Sequence, residues 1–220
     1  MEKYGDNDFV VDEDIILLDN DYRIPFTQNL IDSLGNSPSS RTGVTIQNEC
    51  AVFGASDALV YDVGNLFEKD KITIELEVMF LSYPDANKQC PVFNTSFTQF
   101  QNDVPFAIWG NYCSWDSMNY HVLYYNGVPE DKSGSGKYNK IQLNKWYKCK
   151  LVWTYSEHKV WCYLDDDYLS KRWNYTTRPS YSSRPTKIYF GMTQNPISGY
   201  DRQIYQSCNF KLRNFVLKAE

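Results

Sequence analysis

Two glutamates, Glu75 and Glu77, stand two residues apart in KITIELEVMF (71–80), a run that alternates like a strand. That spacing puts both carboxylates on one face. A retaining glycoside hydrolase needs an acid and a nucleophile about 5–5.5 Å apart, a distance that two same-face residues satisfy. A second set of oxygen donors, Asp19, Asp21, Asp32 and Asn36, lies near turns and offers the hard ligands that calcium takes. The competing reading of DSLGN (32–36) is plain turn chemistry, in which Asp and Asn bond their own backbone. A third set is aromatic: Trp109, Tyr112, Trp115 and Tyr120 in WGNYCSWDSMNY (109–120), read as loop residues, with Trp161 and Tyr163 further on. Such rings give large rigid contacts to sugar faces and to protein partners alike. The competing reading places Trp109 and Trp115 in the core at a sheet edge.

Other chemistries have little to build on. Histidine occurs only at 121 and 158, neither in an elbow or triad context. The cysteines at 50, 90, 113, 149, 162 and 208 contain no C-x-x-C, so zinc spacing is missing. The formal net charge of −5 argues against tracking nucleic-acid phosphates or anionic lipid. No apolar run approaches the ~20 residues of a membrane span, so no membrane insertion is expected. The acidic opening, MEKYGDNDFVVDED, does not read as a secretory signal.

The elements that must position these residues are short strands. IILLDN (15–20), GVTIQN (43–48), ALVYDV (58–63), KITIELEVMF (71–80), PFAIWG (105–110), YHVLYYNG (120–127), WYKCKLVWTY (146–155), KVWCYLD (159–165), KIYFGM (187–192) and NFKLRNFVLK (209–218) are rich in β-branched or aromatic residues. Polar turns separate them, and a helical period shows only faintly around 26–34. The expected class is all-β: an antiparallel two-sheet sandwich spanning 15–220 as one domain, preceded by an acidic arm, 1–14. Residues 144–171 read as a long hairpin. A tight turn at Glu157–His158 would set Trp153 opposite Cys162, Leu151 opposite Leu164, and Lys150 opposite Asp165. Tyr147, Cys149, Leu151 and Trp153 then share one buried face, while Trp161 and Tyr163 look the other way. Cys149 and Cys162 are offset by about four residues in that register, too far for a disulfide.

The order of several motifs carries a resemblance. DSLGN (32–36), AVFGASDALVYDV (51–63), KITIELEVMF, the hairpin NKWYKCKLVWTYSEHKVWCYLDD, KIYFGM and the closing FKLRNFVL follow one another as in a known family. The chain resembles the concanavalin A-like lectin/glucanase superfamily, in particular its laminin-G-like modules in bacterial and phage surface proteins. The resemblance implies a jelly roll whose N- and C-terminal strands are adjacent, with binding at a concave face or a loop rim, where related modules also place calcium. One branch carries E-x-D-x-x-E or E-x-D-x-E on a strand. Here Glu77 stands where that branch has aspartate, and Met79 and Phe80 supply no third carboxylate.

The expected function is a non-catalytic binding or structural module. Composition and resemblance favour a virion surface component of a phage (fibre, tail or capsid-associated adhesion or decoration protein), made in the host cytoplasm and joined to other virion subunits in an oligomer. The alternatives are a carbohydrate-binding lectin module at a cell surface, with a cell-surface glycan as partner, and a glycoside hydrolase using Glu75 and Glu77. No cofactor other than calcium, and no nucleic acid, is expected.

Overall fold

Alternation decides which side of each strand is dry. In the ten-residue strand Lys71–Phe80, Ile72, Ile74, Leu76, Val78 and Phe80 are all buried on one side. Thr73, Glu75, Glu77 and Met79 take the other side, as a period of two requires. The computed structural model describes residues 21–82, 89–95, 107–114, 117–123, 142–154, 156–157, 159–165, 167–168, 185–191 and 209–220. The strand expected at 15–20 and the arm at 1–14 lie outside these.

The described strands are, in chain order, β1 (Tyr22–Ile24), β2 (Ser40–Thr42), β3 (Thr45–Gln47), β4 (Cys50–Phe53), β5 (Ala58–Asp62), β6 (Lys71–Phe80), β7 (Gln89–Asn94), β8 (Ala107–Ser114), β9 (Ser117–Leu123), β10 (Trp146–Thr154), β11 (Lys159–Leu164), β12 (Asp167–Tyr168), β13 (Lys187–Gly191) and β14 (Phe210–Ala219). One sheet runs β12-β11-β10-β6-β14-β4-β3, with β1 beside β14, and the other runs β2-β5-β13-β7-β8-β9. Every pairing is antiparallel. The protein is an all-β, two-sheet sandwich, and β1 pairs with β14 through Tyr22–Leu217, Arg23–Val216 and Ile24–Phe215. Among the described residues the only helical turn is a 3₁₀ segment, Leu66–Glu68, and no helix is long and apolar enough to cross a membrane. The faint helical period at 26–34 becomes bends and a turn.

Aromatic rings join the two sheets. Phe215 of β14 meets Phe190 of β13 edge-on at 4.9 Å and stacks on Phe93 of β7 at 5.4 Å. Phe26, just after β1, closes on Phe190 at 5.4 Å. All four are buried. Truncating such a ring to alanine costs about 3–5 kcal/mol, because the cavity it leaves cannot collapse fully.

The β10–β11 hairpin keeps its expected parity but not its expected register; the side chains of Trp153, Trp161, Cys162 and Leu164 lie outside the described residues. Leu151 is opposite Cys162, Trp153 opposite Val160, and Thr154 opposite Lys159, a shift of two residues. The turn is anchored from outside the hairpin. Ser156 donates its backbone N–H to Asp70 Oδ1 at 2.8 Å and its hydroxyl to Asp70 Oδ2 at 2.6 Å. The described turn residues are Ser156 and Glu157, one position earlier than expected, and these bonds tie the turn to the residue before β6. A two-residue shift preserves parity, so Tyr147, Cys149 and Leu151 remain buried in the core. Cys149 is a buried thiol opposite Leu164. Its separation from the Cys162 position is thus two residues, not four, still a diagonal wider than a disulfide spans.

Two glycines with positive φ separate backbone strain from side-chain crowding. At Gly43 (φ +70°) a Cβ would come within 1.8 Å of Asp57 Oδ1, whereas at Gly64 (φ +57°) it would meet nothing within 4 Å. Asp57 cannot withdraw without cost, because its Oδ2 accepts the Gly54 N–H at 2.7 Å. Gly64→Ala is expected to cost about 1 kcal/mol of strain and Gly43→Ala about 3 kcal/mol. Thermal and urea midpoints of the two variants check this; equal losses would remove Asp57 from the explanation.

Candidate functional site

Because β6 lies between β10 and β14, its outward side chains form the midline of the outer face of the eight-stranded sheet. Glu75 is opposite Lys150 on β10 and Val216 on β14, and Glu77 is opposite Lys148 and Arg213. Lys150 Nζ is 3.1 Å from Glu75 Oε1. Arg213 Nε donates to Glu77 Oε2 at 2.7 Å, and Asn214 Nδ2 donates to Oε1 at 2.8 Å. Both donors come from an irregularity in β14 between Arg213 and Val216, where Asn214 takes φ 54°. A bulge of this kind re-aims side chains. The Arg213 guanidinium also lies over the Trp146 ring, 4.2 Å from its centroid, a favourable cation–π arrangement.

Register extends the midline sideways. Lys150 is opposite Tyr163, which is opposite Tyr168, and Val152 is opposite Trp161. Tyr163 therefore occupies an outward register position on β11 and is half-buried, while the Trp161 side chain lies outside the described residues. The expected Lys150–Asp165 pairing does not occur. Asp165 instead binds the Lys148 backbone from both sides, its N–H donating to Lys148 O at 2.9 Å and its Oδ1 accepting the Lys148 N–H at 2.9 Å.

The other aromatic candidates are arranged differently from the loop they suggested. Trp109 and Tyr112 lie on β8 and Tyr120 on β9, a hairpin at the edge of the six-stranded sheet. Trp109 is opposite His121, Gly110 opposite Tyr120, and Tyr112 opposite Met118. Their side chains, and Trp115 altogether, lie outside the described residues. The structure brings Glu75, Glu77 and Tyr163 together on one face; Trp109, Tyr112 and Tyr120 are on the other sheet.

Of the oxygen donors, Asp19 lies outside the described residues. Asp32 is buried and engaged on both oxygens: Oδ1 accepts the N–H groups of Leu34 at 2.9 Å and Asn36 at 2.8 Å, and Oδ2 accepts the Tyr22 hydroxyl at 2.9 Å. Asn36 adds its own amide to Oδ2 at 3.4 Å. These donors fill the carboxylate from within the turn, which is how an aspartate organises backbone. Asp21 faces Arg23 at 3.6 Å. Among the described residues no three His, Cys, Asp or Glu side chains gather into a group that could hold a metal ion.

Sequence reasoning missed Lys150, Arg213, Asn214 and Trp146. The signal was present in the alternation of KLRNFVLK and WYKCK, whose polar positions repeat basic residues, but which carboxylate each would meet depends on strand order.

No protein-family model matches the chain, and no curated protein sequence does either. Solved structures do. The alginate lyase Aly36B superposes with a TM-score of 0.62 at 11% identity, over 90% of this chain and 96% of its own. Trypanosoma rangeli sialidase matches with a TM-score of 0.58 at 13% identity over 90% of this chain, which spans only 30% of the sialidase. The binding domain of botulinum neurotoxin serotype C1 gives 0.57 at 11% identity, over 91% of this chain and 48% of that domain. At these identities the likeness is one of fold, and it supports the two-sheet sandwich.

Two outcomes follow from the geometry. Lys150→Met leaves the buried Glu75 carboxylate without its cation and should cost about 1–3 kcal/mol, most of it recovered in the double variant with Glu75→Gln. Urea denaturation of the cycle reads this directly; additive losses would show that the pair is not coupled. Burial, reinforced by the hydrogen bond to Asp32, pushes the Tyr22 phenol well up from its usual value, and burial does the same for Tyr61. Raised folded-state values mean stability is fully present below about pH 10 and is lost as pH climbs beyond it. The thermal midpoint should fall above that pH, and less steeply in Tyr22→Phe.

Proposed function

We propose that the chain is a non-catalytic carbohydrate-binding module of the concanavalin A-like type, which presents the outer face of its eight-stranded sheet to a glycan. The observation that carries this reading is the fixed midline of that face. Glu75 and Glu77 are acceptors held by Lys150, Arg213 and Asn214, with the Trp146 ring under the guanidinium. A sugar offers hydroxyl groups that need donors and acceptors in set positions, and C–H faces that rest on rings. Cross-strand partners hold these groups before any ligand arrives, which lowers the ordering cost of binding. The neighbouring folds fit this reading. A form of Aly36B with one lysine and one tyrosine replaced by alanine was solved with an alginate tetrasaccharide, and this chain spans 97% of it at a TM-score of 0.64. A botulinum neurotoxin type C structure concerns interaction with two ganglioside molecules.

The engagement of both carboxylates with cations favours binding over a hydrolase pair, since neither stands open as a nucleophile. One arrangement favours a second reading, a polysaccharide lyase: Lys150 is directly opposite Tyr163, and lysine and tyrosine are residue types that take and give protons. For the setting, the virion surface of a phage remains the proposal, resting on composition and motif order.

A glycan array with purified protein is the test. A defined hit is expected, weakened about tenfold by Trp146→Ala. No hit, or a hit indifferent to Trp146→Ala, would sink the proposed face. Unsaturated product accumulating on a bound polysaccharide, and lost in Lys150→Met, would replace binding with lyase chemistry. Antibody against the chain decorating purified phage particles would support the virion setting, and purified particles lacking the chain would refute it.

A further inference from the structure

The chain carries a formal net charge of −5, yet the outer face of its eight-stranded sheet is basic. On β10 the outward positions include Lys148 and Lys150, and on β14 they include Lys211, Arg213 and Lys218. Between these rows the midline supplies only Glu75 and Glu77, which Lys150 and Arg213 already neutralise. Among the described residues Lys148, Lys211 and Lys218 have no carboxylate within ion-pair distance. All three are half-exposed. The described part of this face thus carries three lysines beyond the two cations that its glutamates engage.

The dimensions of this surplus say what it fits. Two strand spacings separate β10 from β14, about 9–10 Å, and Lys211 lies roughly 20 Å along β14 from Lys218. A single small anion cannot touch all three lysines, whereas an extended chain with repeating negative charge can. Glu75 and Glu77 lie between the rows and would repel closely packed phosphates, but Glu77, the more exposed of the two, can accept hydrogen bonds from hydroxyl groups. Negative charge at intervals with hydroxyls between is the chemistry of a carboxylated polysaccharide. Resting on the carbohydrate-binding reading, we infer that this face binds a polyuronate chain, with Lys148, Lys211 and Lys218 meeting the ligand's carboxylates and the more open Glu77 its hydroxyls.

The experiment is isothermal titration of the full chain with polygalacturonate, alginate and hyaluronate, each beside its methyl-esterified form, which keeps the backbone and removes the charge. At least one polyuronate should bind, its ester much more weakly, with affinity falling as sodium chloride rises. Lys148→Gln and Lys218→Gln should each weaken binding by up to about fivefold, while Lys187→Gln on the opposite sheet leaves it unchanged. Circular dichroism of each variant confirms the fold. Equal binding of acid and ester, or a hit confined to neutral glycans, overturns the inference while leaving the carbohydrate-binding module intact. Heparin or single-stranded DNA binding as tightly as every polyuronate overturns it in favour of general polyanion attraction. No binding to any glycan, here and on the array, removes both readings.

Discussion

The pairing of β6 with β10 on one side and β14 on the other is the constraint from which the rest follows. Both ladders run nearly the full length of β6, from Ile72 opposite Trp153 and Ala219 to Met79 opposite Trp146 and Lys211. A side-chain period of two leaves no intermediate arrangement. If Ile72, Ile74, Leu76 and Val78 are to be dry, Glu75 and Glu77 must stand outside, and the neighbouring strands must set Lys150 and Arg213 beside them. Core and candidate surface are two sides of one register.

This explains what was legible in the sequence. β6 was read residue for residue, because ten alternating positions with β-branched residues admit one interpretation. The faces of the β10–β11 hairpin were legible for the same reason, since parity survives an even shift. The register was not: the turn falls at Ser156–Glu157 and bonds Asp70, a residue distant in sequence of which local turn chemistry carries no trace. β1, β2 and β12 are too short to show a period and exist because longer strands offer them an edge. The same limit governed the site. Two glutamates could be seen to share a face, but one cation partner comes from β10 and the other from β14. Their meeting is a property of strand order, not of spacing.

The candidate face also shows how a sheet can be polar and still well ordered. Glu75 is nearly buried, and an unpaired carboxylate there would be costly. Lys150 offsets that cost and becomes fixed in doing so. Arg213 is held three ways, by the Glu77 carboxylate, by the Trp146 ring and by the backbone irregularity that follows it. Groups restrained in this manner have less rotamer freedom left to lose when a ligand arrives. Adhesive surfaces face the same demand, whatever they adhere to.

The junction of β1 and β14 has a mechanical consequence. The two strands are antiparallel and Tyr22 lies opposite Leu217, so tension drawn between those two points opens the pairs to Arg23–Val216 and then Ile24–Phe215 in turn, as a zipper opens. The same tension drawn along β6 would load both of its ladders at once in shear. The sandwich is therefore anisotropic under force: β1 can peel away at low load while β14, still bonded to β6, keeps the outer face intact.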